Sequence, residues 1–372
     1  MATLRVSGSA RTAWWFAGSR PLGNFGVPTC SFAVSNQVES KDSCRLPLAL
    51  GQGSGNHWWM KQLILLLTAG MTLATAPASA SPMLLVDAAS GDILVAQEAT
   101  RSWHPASLTK LMTAHLALMA VRAGKLTMDA SIPMSARAVA QPPSKLGVPS
   151  GTSLRLEDAL RVMMVKSAND VAVAIAEAVG GSETSFVSAM NAEAARLGMS
   201  GTRFVNANGL HDDRQVTNAR DMAVLMLAIL NYHAADTELF RTPALEVDGR
   251  ILMNTNKLVE NYNGLEAAKT GYICASGFNV AVSAIRGRRR VVGIVLGAPS
   301  AARRTQIATE LLDAGFAGAT GPIGNLLTVK ASAPAPGADL RRVKCGRQAP
   351  EVATPPIADR DGKHTVGLPI RR

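Results

Sequence analysis

Charge is scarce in this sequence: Asp, Glu, Lys and Arg make up 17% of its 372 residues, against 47% hydrophobic side chains. That balance excludes global disorder and leaves ample material for a packed core, in one sizeable domain or two small ones. Cysteine is scarce too, and four of them cannot build a dense disulfide framework. The six histidines show no metal-ligand spacing such as His-x-x-x-His, so neither a metal nor another cofactor is expected. His104 and His115 are accordingly read as packing or surface residues. The net charge of +11 suggests a polyanionic partner only until it is located along the chain. Residues 81–330 hold 24 basic and 21 acidic side chains, and the surplus sits at the two ends. A nucleic-acid binder would carry its charge on the folded body, which excludes that class. The run Arg286–Arg290 reads as a solvated turn.

Residues 1–59 carry four of the five tryptophans but no sustained helical or alternating period, and are expected to be a spurious or disordered extension. Met60-Lys61-Gln62, the apolar run Leu63–Leu67 and Ala76-Pro77-Ala78-Ser79-Ala80 follow. A basic start, a short apolar core and an Ala-x-Ala end predict a signal peptide over 60–80, with translation starting at Met60 and cleavage after Ala80. Thr, Gly and Pro make this segment too polar for a membrane span, and no lipobox cysteine follows it. An extracytoplasmic, periplasm-like location is the expectation.

Beyond Ser81, the runs Met83–Asp87 and Ile93–Ala96 around Ser90-Gly91-Asp92 predict a β-hairpin. Helical patterns cover 107–118, 156–180, 183–197 and 301–315. Asn279–Ile285 and Val291–Leu296 predict two strands about the basic turn. Strands near both ends with helices between them imply a sheet assembled from both ends of the domain around a helical insertion. The Pro-rich residues 331–372 lack an apolar period and are expected to be a disordered basic tail. Cys274 and Cys345 would suit an oxidising compartment, but the tail position of Cys345 argues against a bond.

Three strings carry the chemistry. Ser107-Leu108-Thr109-Lys110 opens a helix, Ser167-Ala168-Asn169 follows, and Lys269-Thr270-Gly271 lies next to a predicted strand. A serine and a lysine three residues apart share one helix face, so the amine reaches the hydroxyl. Lysine acts as a base only if its pKa falls, which a helix N-terminus, a dry cleft and a second cation, Lys269, would all favour. The N–H of Ser107 can stabilise an oxyanion. Ser167 is expected within reach of Lys110 as a proton relay, and Asn169 on a substrate amide. Lys269 and Thr270 would bind a terminal carboxylate, with Gly271 allowing close approach of the substrate backbone. Each string alone has an ordinary reading: a serine N-cap, a solvated lysine, a loop, a strand edge. The ordered set is the pattern of β-lactamases and penicillin-binding proteins.

With Pro105–Thr113, Asn206–Asp212, Ala219–Ala223 and Ser276–Val280 added, the chain from about Met83 to Val329 resembles the serine-type D-alanyl-D-alanine carboxypeptidases, the low-molecular-mass penicillin-binding proteins. The resemblance implies an α/β (α+β) fold of the β-lactamase/transpeptidase type, in which an antiparallel sheet flanked by helices joins a helical subdomain. It implies a domain over 81–330 in which Ser107, Lys110 and Ser167 are catalytic. Asn169, Lys269, Thr270, Gly271, Tyr272 and Arg304 would bind substrate, with Tyr272 supplying the second oxyanion N–H and Arg304, or its neighbour Arg303, gripping the carboxylate. Expected partners are peptidoglycan stems ending in D-Ala-D-Ala, with β-lactams as covalent inhibitors and neither nucleic acid nor a stable membrane anchor. A DD-endopeptidase on the same residues is the near alternative. A class A β-lactamase is disfavoured because no Glu-x-x-Leu-Asn string lies between Asn169 and Lys269, and a non-catalytic wall-binding domain is disfavoured by the complete motif set.

Overall fold

The strand runs seen in the sequence pair into one sheet because each is apolar on both faces. The computed structural model describes residues 81–318, 321–341, 345 and 370–371. The readings of 1–59 as an extension and of 60–80 as a signal peptide lie outside the described residues, as does most of the tail beyond Cys345. Strands β1 (Met83–Asp87), β2 (Asp92–Gln97), β7 (Leu265–Ile273), β8 (Gly277–Arg286), β9 (Arg289–Ala298) and β10 (Gly324–Asn325) form a six-stranded sheet in the order β10-β2-β1-β9-β8-β7. Every neighbouring pair is antiparallel. The two ends of the domain thus meet at β1 and β9, as the sequence predicts.

Side-chain alternation divides the sheet between two cores. Leu84, Val86, Val292 and Ile294 face the helical insertion. Leu85, Val291 and Val295 face the opposite side, where Leu312 and Ala308 of the closing helix cover them. Burial on both sides explains why these strands read as continuous apolar runs.

Among the described residues, five of the six longer helices lie between β2 and β7: α1 (Thr109–Arg122), α2 (Leu156–Val165), α3 (Asn169–Gly180), α4 (Glu183–Arg196) and α5 (Ala219–Tyr232); α6 (Ala301–Ala317) follows β9. Helix α1 is buried almost all round, including Lys110 and His115, which marks it as the axis of the insertion. Side-chain caps set three helix starts: Ser182 for α4, Asn218 for α5 and Ser300 for α6. Small hairpins add β3 (Ser131–Pro133) with β4 (Ser153–Arg155), and β5 (Ala244–Val247) with β6 (Arg250–Met253); β11 (Ile370–Arg371) pairs with β5.

Two expectations need correction. The single helix predicted over 156–180 is two helices, because Ser167 adopts φ of 60°, a left-handed conformation that ends α2 and costs a non-glycine residue about 1–2 kcal/mol. The second concerns the tail. Residues 331–341 form a strap that lies on the domain surface. Ala331 is buried, Ser200 Oγ donates to its carbonyl at 2.9 Å, Ser102 Oγ donates to the Ala335 carbonyl at 2.5 Å, and the Leu340 N–H donates to the Ala275 carbonyl at 2.9 Å. Cys345 is disulfide-bonded to Cys274, immediately beyond β7. Proline and alanine gave no apolar period because this strap is held through main-chain hydrogen bonds and one covalent bond.

Replacing both Cys274 and Cys345 by serine frees the end of the strap and is expected to lower stability by about 2–4 kcal/mol. Urea denaturation of the variant and of the oxidised wild type measures this, and equal midpoints would contradict the anchoring role.

Candidate active site

The three motifs sit on three different elements that converge at the edge of the sheet. Ser107 lies in a short 3-10 turn (Ala106–Leu108) that runs directly into α1. Ala106, just before it, has φ of 49°, so a strained residue aims the serine outward. Two glycines let backbone crowd this turn. A Cβ at Gly209 would fall 2.0 Å from the Ala106 carbonyl oxygen, and Gly209 itself has φ of 89°. A Cβ at Gly271 would lie 3.0 Å from the Ser107 nitrogen, so glycine lets β7 run alongside the Ser107 turn.

Lys110 is fully buried and its Nζ meets three oxygens: Ser107 Oγ at 3.0 Å, Asn169 Oδ1 at 2.7 Å and the Asn208 carbonyl. The Asn169 amide is oriented by its own Nδ2, which donates to the Pro142 carbonyl at 2.9 Å. Two of the three oxygens around Nζ can therefore only accept. Two N–H bonds satisfy them, and the third tetrahedral direction of the nitrogen points at the Ser107 hydroxyl. In a neutral amine that direction holds the lone pair. Burial depresses the Lys110 pKa well below its ordinary value, Lys269 depresses it further, and Asp170 opposes weakly.

Lys269, also buried, donates to Ser167 Oγ at 2.9 Å and to the Thr270 carbonyl at 2.9 Å. Burial, and then the charge of Arg304, bring its pKa down to about 7. Ser167, read as a relay within reach of Lys110, accepts a hydrogen bond from Lys269. Asn169, read as a ligand of a substrate amide, lines the cleft, with its Oδ1 on Lys110 and one Nδ2 hydrogen on the Pro142 carbonyl. The break between α2 and α3 turns Ser167 towards β7 while Asn169, as the first residue of α3, faces α1.

A cleft of about 270 Å³ opens in front of these groups, lined among others by Ser107, Ser167, Thr270, Tyr272 and Arg304. Arg304 is buried, has no ion-pair partner among the described residues, and its pKa falls to about 10 through burial. Arg303 instead points outward and pairs with Glu310 at 3.5 Å. A buried guanidinium without a carboxylate is a site for an anion. Tyr272 lies half-exposed at the cleft edge, its ring stacked on Phe278 with centroids 4.3 Å apart. Thr255 went unnoticed in the sequence: its Oγ1 is 2.7 Å from Thr270 Oγ1, and it lines the cleft. The string Asn254-Thr255-Asn256 signals a turn, but nothing local says that the turn reaches β7.

A family model described as D-alanyl-D-alanine carboxypeptidase matches residues 70–300. The D-alanyl-D-alanine carboxypeptidase DacF of Bacillus subtilis (strain 168) is 31% identical over 241 residues, covering 64% of this chain and 62% of DacF. A D-alanyl-D-alanine endopeptidase of Escherichia coli (strain K12) is 30% identical, covering 62% of this chain and 76% of that protein. Among solved structures, penicillin-binding protein D2 of Listeria monocytogenes in its cefotaxime-bound form is 31% identical with a TM-score of 0.59, covering 64% of this chain and 97% of that one. The chain spans about three fifths of the length of DacF.

The electrostatic coupling between the two lysines has a measurable consequence. In Lys269→Met the neighbouring cation is gone and the Lys110 pKa rises, so Lys110 stays protonated to higher pH. Reaction of Ser107 with a serine-directed electrophile such as phenylmethylsulfonyl fluoride is then expected to set in at higher pH than in the wild type. An unchanged or lower onset would contradict the coupling.

Proposed function

The chain belongs to the D-alanyl-D-alanine carboxypeptidase family, and from that premise we propose that it is a penicillin-sensitive serine hydrolase removing the terminal D-alanine from peptidoglycan stem peptides. The observation that carries this reading is the Lys110 amine, held 3.0 Å from the Ser107 hydroxyl with its other two hydrogen bonds committed to carbonyl oxygens. Such an amine is a base aimed at one proton.

The substrate carboxylate enters the end of the cleft where Lys269, Thr270 and Arg304 gather, with Thr255 supporting the Thr270 hydroxyl. Binding an anion there restores the charge that burial takes from Lys269. Ser107 Oγ attacks the carbonyl between the two D-alanines and its proton passes to Lys110 Nζ. The oxyanion is stabilised by the N–H groups of Ser107 and Tyr272. The C–N bond then breaks, and the departing amine takes a proton from the Ser167 hydroxyl, which Lys269 replenishes. In net terms the serine proton leaves on D-alanine, and proton exchange between the lysines readies Lys110 for the next step. Water hydrolyses the ester and frees Ser107. Two moderate barriers replace one high one. A β-lactam presents a strained amide beside a carboxylate to the same groups and leaves Ser107 acylated.

An extracytoplasmic, periplasmic setting, reached through the signal segment at 60–80, accords with this substrate. The Cys274–Cys345 disulfide supports it, since such bonds persist in oxidising compartments. Among the described residues no helix is long and apolar enough to cross a membrane.

The endopeptidase relative keeps a second reading open, in which the same serine cleaves peptide cross-links. Incubation with a monomeric pentapeptide and with a cross-linked dimer separates the two. We expect release of D-alanine from the pentapeptide, and exclusive cleavage of the dimer would contradict it. Fluorescent penicillin is expected to label the wild type and to leave Ser107→Ala unlabelled, and labelling that survives the substitution would remove Ser107 as nucleophile.

A further inference from the structure

His104, His211 and Asp213 are spread over more than a hundred residues of sequence, which is why their spacing carries no ligand signature. The fold brings them together: one ligand atom from each lies within 4.8 Å of the others. We propose that these three side chains form a divalent-cation site, of the kind that takes Zn²⁺, beside the nucleophile turn and outside the catalytic cleft.

The arrangement of His104 is that of a prepared ligand. The ring is 3% exposed, and its Nδ1 lies 3.0 Å from the Gln215 carbonyl oxygen. A carbonyl only accepts, so Nδ1 carries the hydrogen and Nε2 keeps a lone pair, with no hydrogen-bond partner among the described residues. A metal-bound imidazole is commonly fixed in this way, by a backbone carbonyl on its other nitrogen. The His211 ring stands edge-on to that of His104 with centroids 5.2 Å apart, and His211 Nε2 is 3.1 Å from Asp213 Oδ1. Two imidazoles and one carboxylate suit zinc, with a remaining position for water.

The strap of residues 331–341 shapes the surroundings. A Cβ at Gly337 would come within 3.0 Å of His104 Nε2, so glycine there leaves the nitrogen uncovered. Two other charged groups face the cluster from the strap: Arg341, 3.7 Å from Asp213 Oδ1, and Asp339, 2.6 Å from Arg341. Arg341 is the cation that balances Asp213 when no metal is bound. A metal replaces it there and leaves it paired with Asp339. On the other side, Asp212 is already taken by Arg214 at 2.7 Å.

The position gives the site a task. His104 lies three residues before Ser107. His211 lies three after Asn208, whose carbonyl accepts from Lys110, and two after Gly209, which sits against the nucleophile turn. A metal joining the two histidines would staple the segment that carries the nucleophile to the loop that orients its base.

Full-length protein with its disulfide intact, stripped by a chelator, tests this by calorimetric titration with zinc sulfate and by elemental analysis after dialysis. One zinc per chain is expected, together with a rise in the thermal midpoint on binding. His211→Ala and Asp213→Asn alter exposed side chains, so both should fold, which circular dichroism checks. Each is expected to weaken zinc binding, His211→Ala by about 100-fold, the upper end of what loss of even an outer-shell partner costs. Zinc taken up elsewhere in the chain would titrate equally in wild type and variants. Equal titration, or no stoichiometric zinc in the wild type, would overturn the proposal.

Discussion

A buried amine with three neighbours organises this molecule. Lys110 is placed by α1, the Asn169 amide by α3, the Asn208 carbonyl by the loop before α5, and the Ser107 hydroxyl by the turn before α1. Left charged in that position, the ammonium would cost several kcal/mol of desolvation that no carboxylate repays by direct contact. Held neutral, it makes two hydrogen bonds and keeps a lone pair for Ser107. Stability and reactivity thus call for the same protonation state, and the helical insertion is built to present it.

The sheet supplies the other half. Strand β7 brings Lys269, Thr270 and Gly271 past the Ser107 turn, and only the missing Cβ of Gly271 lets it come close. Lys269 then lowers the Lys110 pKa from one side while Arg304 lowers that of Lys269 from the other. Three basic groups in a row, two of them fully buried, cannot all carry charge cheaply without an anion. An anion bound there would relieve that cost, which links anion binding to the electrostatics of Lys110 through the same residues. The order of strands matters here: β7 is an edge of the sheet, and its outer side is free to meet the insertion.

What could be read from the sequence follows the range of the interactions. Ser107 and Lys110 are three residues apart on one helix, and their contact is local. The strands at both ends of the domain were legible because β1, β8 and β9 each carry an apolar run, buried on both faces of the sheet. Arg304 came only through resemblance to relatives, and the structure separates it from Arg303 by burial, which sequence does not record. The hydrogen bond between Ser167 and Lys269 was not legible because the helical pattern continues unbroken through a residue whose backbone leaves the helix. The strap was misread for a different reason. Composition measures side chains, whereas that segment is fastened by hydroxyls of Ser102 and Ser200 on its carbonyls and by Cys274. His104 and His211 show the same blindness to contacts made across the fold.

The protonation state of Lys110 in the resting protein is the point on which the account turns. Nitrogen NMR of protein carrying 15N-labelled lysine, with the signal assigned by its loss in Lys110→Arg, reads that state directly against pH. The account predicts an amine that loses its proton well below the ordinary lysine range. A Lys110 signal that remains that of an ammonium up to about pH 10, as for a solvated lysine, would contradict it.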